Sequence, residues 1–138
     1  MINYADVEVG TALPAQQFPI QRFNLVQYAG ASGDFNPIHW NERFAQGVGL
    51  PDVIAHGMYT MALSVRVVSD WVGDPGAVLD YGVRFVRPVV VSDADGATLD
   101  VSAAVAQKLG ENTVRVDLTA TVNGQTVLGR ARAVVRLG

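Results

Sequence analysis

The hydrophobic period changes part-way along the chain, and this change limits the possible folds. From Gly57 to Trp71 apolar residues recur every three to four positions, which predicts one long helix. Because this segment is apolar nearly all round, we expect the helix to be buried. Beyond the turn at 73–76 the period becomes two, which predicts a series of strands. Strands that wrap one apolar helix indicate an α+β fold with a largely antiparallel sheet.

Turn and capping residues mark the ends of the other predicted elements. Asn123-Gly124 predicts a two-residue hairpin that leads into a last strand over 126–137. In the first half, Asn24 and Gln27 have the character of a capping box, which predicts a short helix that begins there. Asn36-Pro37 is expected to end this helix. One further helical turn is predicted over 41–46.

Length and composition exclude several classes of function. The 138 residues carry a net charge of −3, with a pI near 5.1, so we expect one domain over 1–138 that does not bind nucleic acid. There is no Cys, and only His39 and His56 could supply imidazole ligands, which disfavours a thiol nucleophile and a catalytic zinc site. The sequence contains neither a signal-peptide pattern nor a long apolar run, so we expect a cytoplasmic protein without a membrane span.

One short segment concentrates groups that can move protons. Asp34 and His39 are five positions apart, a spacing that would direct them about 140° apart on an unbroken helix. Pro37 interrupts the helix and holds Asn36 extended, so the chain can turn back and bring the carboxylate and imidazole together. These two groups around one centre are the minimum for adding or removing water. Alternatively, Asp34 is only a cap or Asx-turn residue and His39 only a loop histidine.

The surrounding sequence resembles the MaoC-like (R)-specific enoyl-thioester hydratases and dehydratases, which have the hot-dog fold. The resemblance covers about residues 5–137. Its motifs are Tyr28, Ser32-Gly33-Asp34, Asn36-Pro37-Ile38-His39, Ala45, Ala55-His56-Gly57-Met58, Tyr81-Gly82-Val83-Arg84-Phe85 and Pro88-Val89. With Trp40, Ile54 and the segment 71–78, the chain is similar to the catalytic B subunit of the actinobacterial (3R)-hydroxyacyl-ACP dehydratase. This resemblance implies a single hot-dog domain with its sheet around the long helix and an overhanging catalytic segment.

The resemblance also implies a role for each site residue. Asp34 and His39 match the catalytic pair, and Asn36 matches an amide that orders the site. During dehydration His39 would take the proton beside the thioester carbonyl while Asp34 assists departure of the 3-hydroxyl, although the sequence leaves these roles interchangeable. The backbone N–H of Gly57 is the expected donor to the enolate oxygen, with tight helix packing as the alternative explanation for this glycine. No metal and no other cofactor is expected.

Other residues are assigned less specifically. The resemblance aligns Val83, Arg84 and Phe85 with a strand beside the pantetheine arm. His56 is expected to be structural, and Ser64 to bond back to its own helix. Five arginines could attract CoA phosphates or an acidic carrier protein, but a solvated strand face is the preferred explanation. These arginines are Arg84, Arg87, Arg130, Arg132 and Arg136.

The resemblance implies reversible dehydration of (3R)-hydroxyacyl thioesters to trans-2-enoyl thioesters. Acyl carrier protein is the expected carrier, in type II fatty-acid elongation of the mycolic-acid type. The alternative is an (R)-specific enoyl-CoA hydratase of β-oxidation or polyester metabolism. A hot-dog thioesterase and a non-catalytic acyl-binding subunit are less favoured, because both Asp34 and His39 are present. A partner is expected, either a second copy or a related hot-dog subunit, because pairing would cover an exposed strand edge.

Overall fold

One strand precedes the long helix and four strands follow it. The computed structural model describes residues 1–138. Its elements are β1 (Gln16–Ile20), α1 (Arg22–Ser32), α2 (Glu42–Gly47), α3 (Gly57–Val72), β2 (Val78–Phe85), β3 (Ala97–Gly110), β4 (Thr113–Val122) and β5 (Gln125–Arg136). The strand order is β1-β3-β4-β5-β2, and every pairing is antiparallel. The predicted α+β class is therefore confirmed. No helix is both long and apolar enough to cross a membrane.

Helix α3 packs against the sheet through its second half. Val67, Val68 and Val72 join the alternate buried residues of β3, β4 and β5 in one apolar core. The expectation that this helix is buried is wrong for one face, which is exposed along its length at Met58, Ala62, Arg66 and Asp70. Met58, near the start, is 56% exposed. The buried side of these first turns carries the polar residue Thr60, because this part of the helix borders a cavity as well as the core.

Helix α1 begins and ends earlier than the sequence predicts. Asn24 does belong to a capping box, but as its third helical residue, and its Oδ1 accepts from the backbone N–H of Gln21 at 2.8 Å. The helix ends at Ser32, where Gly33 adopts the left-handed conformation with φ 77°. Asn36-Pro37 therefore lies beyond the helix rather than at its end. As a consequence, residues 33–41 are free to fold as a separate segment, which we call the site segment.

Two tight hairpins set the order of the last three strands. Asn123-Gly124 has φ values of 51° and 75°, which confirms the predicted turn. Glu111 and Asn112 form a second hairpin with φ values of 51° and 57°, directly after Gly110, whose φ is 88°. Strand β5 also contains a bulge near Arg130, whose φ is 45°. Before this bulge, Val127 and Leu128 line the cavity, and the buried residues after it belong to the core.

Candidate active site

The site segment folds back on itself through two consecutive Asx turns. Asp34 Oδ1 accepts from the N–H of Asn36 at 3.1 Å, and Asn36 Oδ1 accepts from the N–H of Ile38 at 3.2 Å. Pro37 then begins a single 3-10 turn that ends at His39. This path leaves Asp34 Oδ2 at 3.7 Å from His39 Nε2. Asp34 is thus an Asx-turn residue through one oxygen and faces the imidazole with the other.

The tautomer of His39 is set by a backbone carbonyl. The His39 side chain is 8% exposed, and Nδ1 lies 2.7 Å from the carbonyl oxygen of Ile54. A carbonyl oxygen can only accept, so Nδ1 carries the proton and donates it. The N–H of Ile54 in turn donates to the carbonyl of Ile38 at 3.1 Å, which ties the segment before α3 to the site segment. The Nε2 lone pair of His39 is therefore free to act as a base.

His39 forms part of the wall of a largely apolar cavity of about 410 Å³. The other walls include Ile54, Phe85, Val89 and Leu128. Asp34 is not one of the lining residues, and its side chain is 52% exposed. The carboxylate therefore approaches Nε2 from the solvent side. A chain-like apolar ligand in the cavity would place its end near both groups.

Gly57 lies on the same cavity at the first residue of α3. The N–H groups of Tyr59 and Thr60 both donate to the carbonyl of His56, which is the first carbonyl to accept within this helix. Because Gly57 precedes these donors in the first turn, its own N–H has no acceptor within the helix. A Cβ at this position would lie 3.0 Å from Cε1 of Phe85. The packing explanation for this glycine thus has a structural basis, and it is compatible with a free N–H at the cavity.

The predicted pantetheine strand is divided between two faces of the sheet. Phe85 lines the cavity, and Val83 is half-buried beside it. Arg84 is exposed and pairs with Gly129 of β5, outside the lining of the cavity. Among the five arginines, only Arg87 lines the cavity, and its Nη1 donates to the carbonyl of Thr126 at 3.0 Å. The others lie away from the cavity on exposed positions.

His56 is brought into the site by contacts that the sequence does not announce. It is 2% exposed, and its Nε2 lies 3.1 Å from the carbonyl oxygen of Asp34. Its ring stacks on that of His39, with 3.8 Å between centroids and 21° between planes. Tyr28 of α1 contacts the His56 ring edge-on at 4.8 Å. In the sequence, the only indication that His56 belongs to the site is its position beside Gly57 in the motif Ala55-His56-Gly57-Met58.

Two other polar residues on α3 have different positions. Ser64 donates to the carbonyl of Thr60 at 2.8 Å, which confirms the prediction that it bonds back to its own helix. Thr60 lines the cavity, is 3% exposed and was not singled out from the sequence. A mid-helix threonine one turn from Gly57 gives no periodic signal that separates it from a core residue.

Asp34, His39 and His56 together offer three atoms that could bind a metal, all within 4.8 Å of one another. The two rings are nearly parallel, so an ion at about 2.1 Å from both nitrogens would lie far out of both ring planes. In addition, Nδ1 of His39 and Nε2 of His56 each donate to a carbonyl. As folded, the three residues suit ring stacking and proton transfer rather than metal coordination.

The buried imidazole of His56 predicts that stability depends on pH. Burial lowers the pKa of His56 from its ordinary value of 6.5, so the unfolded chain takes up this proton at a higher pH than the folded chain. The associated stabilisation is complete above about pH 6.5 and is lost as the pH falls through the lower, folded pKa. We therefore expect the free energy of unfolding to decrease below about pH 6.5.

Urea denaturation of the wild type and of His56→Phe between about pH 7.5 and 5.5 measures this effect. The variant should lose less stability over this interval, because it has no buried imidazole to protonate. Parallel curves for the two proteins would show that His56 does not contribute to the pH dependence.

Comparison with known proteins shows to which family the chain belongs. Residues 6–125 match the MaoC like domain. The chain is 32% identical over 130 residues to 3-hydroxybutyryl-CoA dehydratase of Methylorubrum extorquens, covering 93% of this chain and 80% of the relative. It is 33% identical over 118 residues to (R)-specific enoyl-CoA hydratase of Rhodospirillum rubrum, covering 84% and 80%. A solved MaoC-like dehydratase superposes with a TM-score of 0.96 and 43% identity over 99% of this chain, which spans only 42% of that protein. The chain therefore belongs to the MaoC-like domain family.

Proposed function

We propose that this chain is a hydro-lyase that interconverts (3R)-hydroxyacyl thioesters and trans-2-enoyl thioesters. The observation that carries this proposal is the free Nε2 of His39, which lies 3.7 Å from the carboxylate of Asp34 beside an apolar cavity. Two relatives with the names of a hydroxyacyl-CoA dehydratase and an enoyl-CoA hydratase support it. The absence of Cys leaves no thiol nucleophile as an alternative catalytic group.

The proposed reaction divides two proton transfers between the paired side chains. In the direction of dehydration, His39 Nε2 removes the proton from C2, and the N–H of Gly57 donates to the developing enolate oxygen. The C3–O bond then breaks, and Asp34, protonated or acting through a water molecule, delivers a proton to the departing hydroxyl, which leaves as water. The proton on His39 passes back to Asp34 before the next cycle. Hydration follows the same path in reverse.

Asn36 is proposed to order the pair rather than to react. Its Oδ1 and N–H each complete one of the two Asx turns, so it connects the turn at Asp34 to the turn that ends at His39. Loss of its side-chain acceptor would loosen the separation between the two reacting groups.

For the carrier, we propose acyl carrier protein in type II fatty-acid elongation of the mycolic-acid type, which would place the enzyme in the cytoplasm. This choice follows the sequence resemblance to the carrier-protein dehydratase subunit. The alternative is CoA, which the names of both relatives favour. Comparing kcat/KM for the same enoyl group on holo-acyl carrier protein and on CoA separates the two carriers. Higher efficiency on CoA would reverse the assignment.

We also propose that residues 1–138 act as one hot-dog domain that works with a second hot-dog unit. Strand β2 forms one edge of the sheet, with β1 at the other, and pairs only with β5. Leu79, Phe85 and Val86 are exposed along or just beyond this edge. The partner is either a second copy or a related subunit. Light scattering on the purified chain tests this, because a dimer supports self-pairing and a monomer that is inactive alone supports a related subunit.

The function is tested by assaying the purified chain, alone and with any co-encoded hot-dog partner, on trans-2-enoyl thioesters. We expect loss of the enoyl absorbance and formation of a 3-hydroxyacyl thioester. Release of free thiol without a hydroxyacyl product would instead support a thioesterase. Turnover by the partner alone, unaffected by changes at Asp34 or His39, would support a non-catalytic role for this chain.

Replacing Gly57 with Ala is expected to lower kcat/KM for hydration by about 10-fold or more. The new methyl group would lie 3.0 Å from Phe85, so that ring must move toward the cavity, and the methyl group also hinders approach to the Gly57 N–H. Steady-state kinetics measures the loss. Gly30→Ala is the matched control, since a Cβ there meets nothing within 4 Å. Equal efficiency of Gly57→Ala and Gly30→Ala would refute the proposed use of Gly57.

A further inference from the structure

We propose that His56 is a positioning residue that fixes both members of the Asp34/His39 pair, one through its backbone and the other through its ring. This inference rests on the proposed function, because it names a further residue on which the same chemistry depends. His56 makes no contact with the substrate in this proposal. It acts by holding the site segment, which carries both reacting groups, against the start of α3.

The first contact holds the backbone of Asp34. His56 occupies the N-cap of α3, yet its side chain makes no capping hydrogen bond to that helix. Instead, Nε2 donates across 22 residues to the carbonyl oxygen of Asp34 at 3.1 Å. Ser, Thr, Asp and Asn are the usual N-cap residues, because their side chains satisfy the first free N–H groups. The imidazole therefore leaves its own helix uncapped and anchors the residue that carries the carboxylate.

The second contact sets the plane of the His39 ring. The stacked rings are 3.8 Å apart, and Tyr28 closes the other side of His56 edge-on at 4.8 Å. The hydrogen bond to Ile54 fixes one edge of the His39 ring, and the stack on His56 restrains its plane. Together they aim Nε2 toward Asp34. A small change in this aim is costly, because proton transfer requires a close and directed approach.

The charge state of His56 suits this role. The titratable groups that face it are His39 and Asp34 from the site segment and Tyr28 from α1. In the neutral ring, Nε2 carries the hydrogen that is donated to the backbone carbonyl of Asp34, so Nδ1 has no hydrogen and can only accept. This buried Nδ1 atom has no hydrogen-bond partner. Burial also lowers the pKa of His56, which keeps the ring neutral. A neutral ring does not repel the positive charge that His39 gains during the reaction.

An unpaired buried nitrogen is unfavourable for folding, so it indicates that the residue is retained for another reason. A phenylalanine would fill the same space without leaving a polar atom unpaired, and a short polar residue would cap the helix. Neither would combine the bond to Asp34 with the stack on His39. The orphaned Nδ1 is thus the consequence of using one side chain for both contacts.

Two substitutions separate the contacts. His56→Phe keeps an aromatic ring against His39 and removes the bond to Asp34, whereas His56→Gln keeps an N–H donor and removes the stack. We expect each variant to lower kcat for hydration by about 10–10²-fold with KM changed by less than about threefold. Ser64→Ala is the matched control on the same helix, because that buried hydroxyl bonds only to Thr60, and it should retain wild-type kcat. Urea denaturation establishes the folded fraction for each protein.

A merely structural role for His56 would lower stability while leaving kcat per folded molecule unchanged, and that result would overturn the inference. So would a loss confined to KM. Imidazole nitrogen NMR of the wild type gives a readout that does not depend on activity. We expect one His56 tautomer, protonated at Nε2 and bare at Nδ1, that stays neutral where an exposed histidine titrates, near pH 6.5.

The two failures are distinguishable. If the wild type, both alone and with its hot-dog partner, hydrates no enoyl thioester on either carrier, the proposed function is wrong. The NMR signature then still decides whether His56 holds Asp34: a single Nε2–H tautomer supports the contact, and a mixture of tautomers or ordinary titration overturns it.

Discussion

Asp34→Asn is expected to lower kcat for hydration of enoyl thioesters by about 10²–10⁴-fold without unfolding the protein. The amide keeps the oxygen that accepts from the N–H of Asn36 at 3.1 Å, so the first Asx turn can persist. It cannot take up and release a proton as the carboxyl group does. Stopped assays over long incubation, together with urea denaturation, separate loss of chemistry from loss of structure.

Asp117→Asn is the matched control for this substitution. Asp117 lies on β4, where it pairs with Arg115 at 3.0 Å, and it does not line the cavity. This variant should retain wild-type activity, because it removes a similar charge outside the site. If Asp34→Asn also retained wild-type activity, Asp34 would be an Asx-turn residue only, and the proposed division of proton transfers would fail.

His39→Ala is expected to cause a loss of about 10²–10⁴-fold in kcat, since it removes the base. It also removes the ring that packs against His56, which leaves space beside that side chain. Added imidazole should therefore restore part of the activity, because a free imidazole can occupy the vacated volume and accept a proton. The measurement is hydration rate against imidazole concentration.

The same titration on Asp34→Asn provides the control, because that variant retains His39 and has no vacated ring site. We expect no rescue there. Wild-type activity of His39→Ala without imidazole would eliminate His39 as the base. Rescue of both variants to the same extent would indicate a general solvent effect rather than replacement of the missing ring.

The elements with strong local signals were predictable from sequence. Helix α3 begins at Gly57 as predicted and ends at Val72, one residue beyond the predicted end. Asn123-Gly124 forms the expected hairpin because the turn needs positive φ at both central residues, which Asn and Gly adopt more readily than other residues. The proximity of Asp34 and His39 was predicted, but α1 already ends before Pro37, and the chain turns back through the two Asx turns at Asp34 and Asn36.

Features that depend on distant parts of the chain were not predictable. Strand β1 offers only Phe18 and Ile20, which alternate about Pro19, and it is defined by its antiparallel pairing with β3. The stack of His56 on His39 joins residues whose local sequences give no sign of contact. Periodicity describes which face of one element is buried, and it does not describe which elements meet.

The exact start of α1 was not predictable from the sequence either. Asn24 can be the N-cap or the third residue of a capping box, and the sequence pattern allows both. The earlier start is favoured in the folded chain because Arg22 then donates to the carbonyl of Val91 at 2.6 Å and to Asp52 at 2.8 Å. These contacts hold the start of the helix against the segments that carry Asp52 and Val91.

The configuration of the hydration product tests the central claim most directly. The wild type, with its hot-dog partner if one is needed, is incubated with a trans-2-enoyl thioester, and the 3-hydroxyacyl product is separated on a chiral column. We predict the (3R) product from the wild type, and only trace amounts from Asp34→Asn and His39→Ala at equal protein concentration. A (3S) product, or (3R) product formed equally by all three proteins, would contradict the assignment of Asp34 and His39 as the catalytic pair of an (R)-specific hydro-lyase.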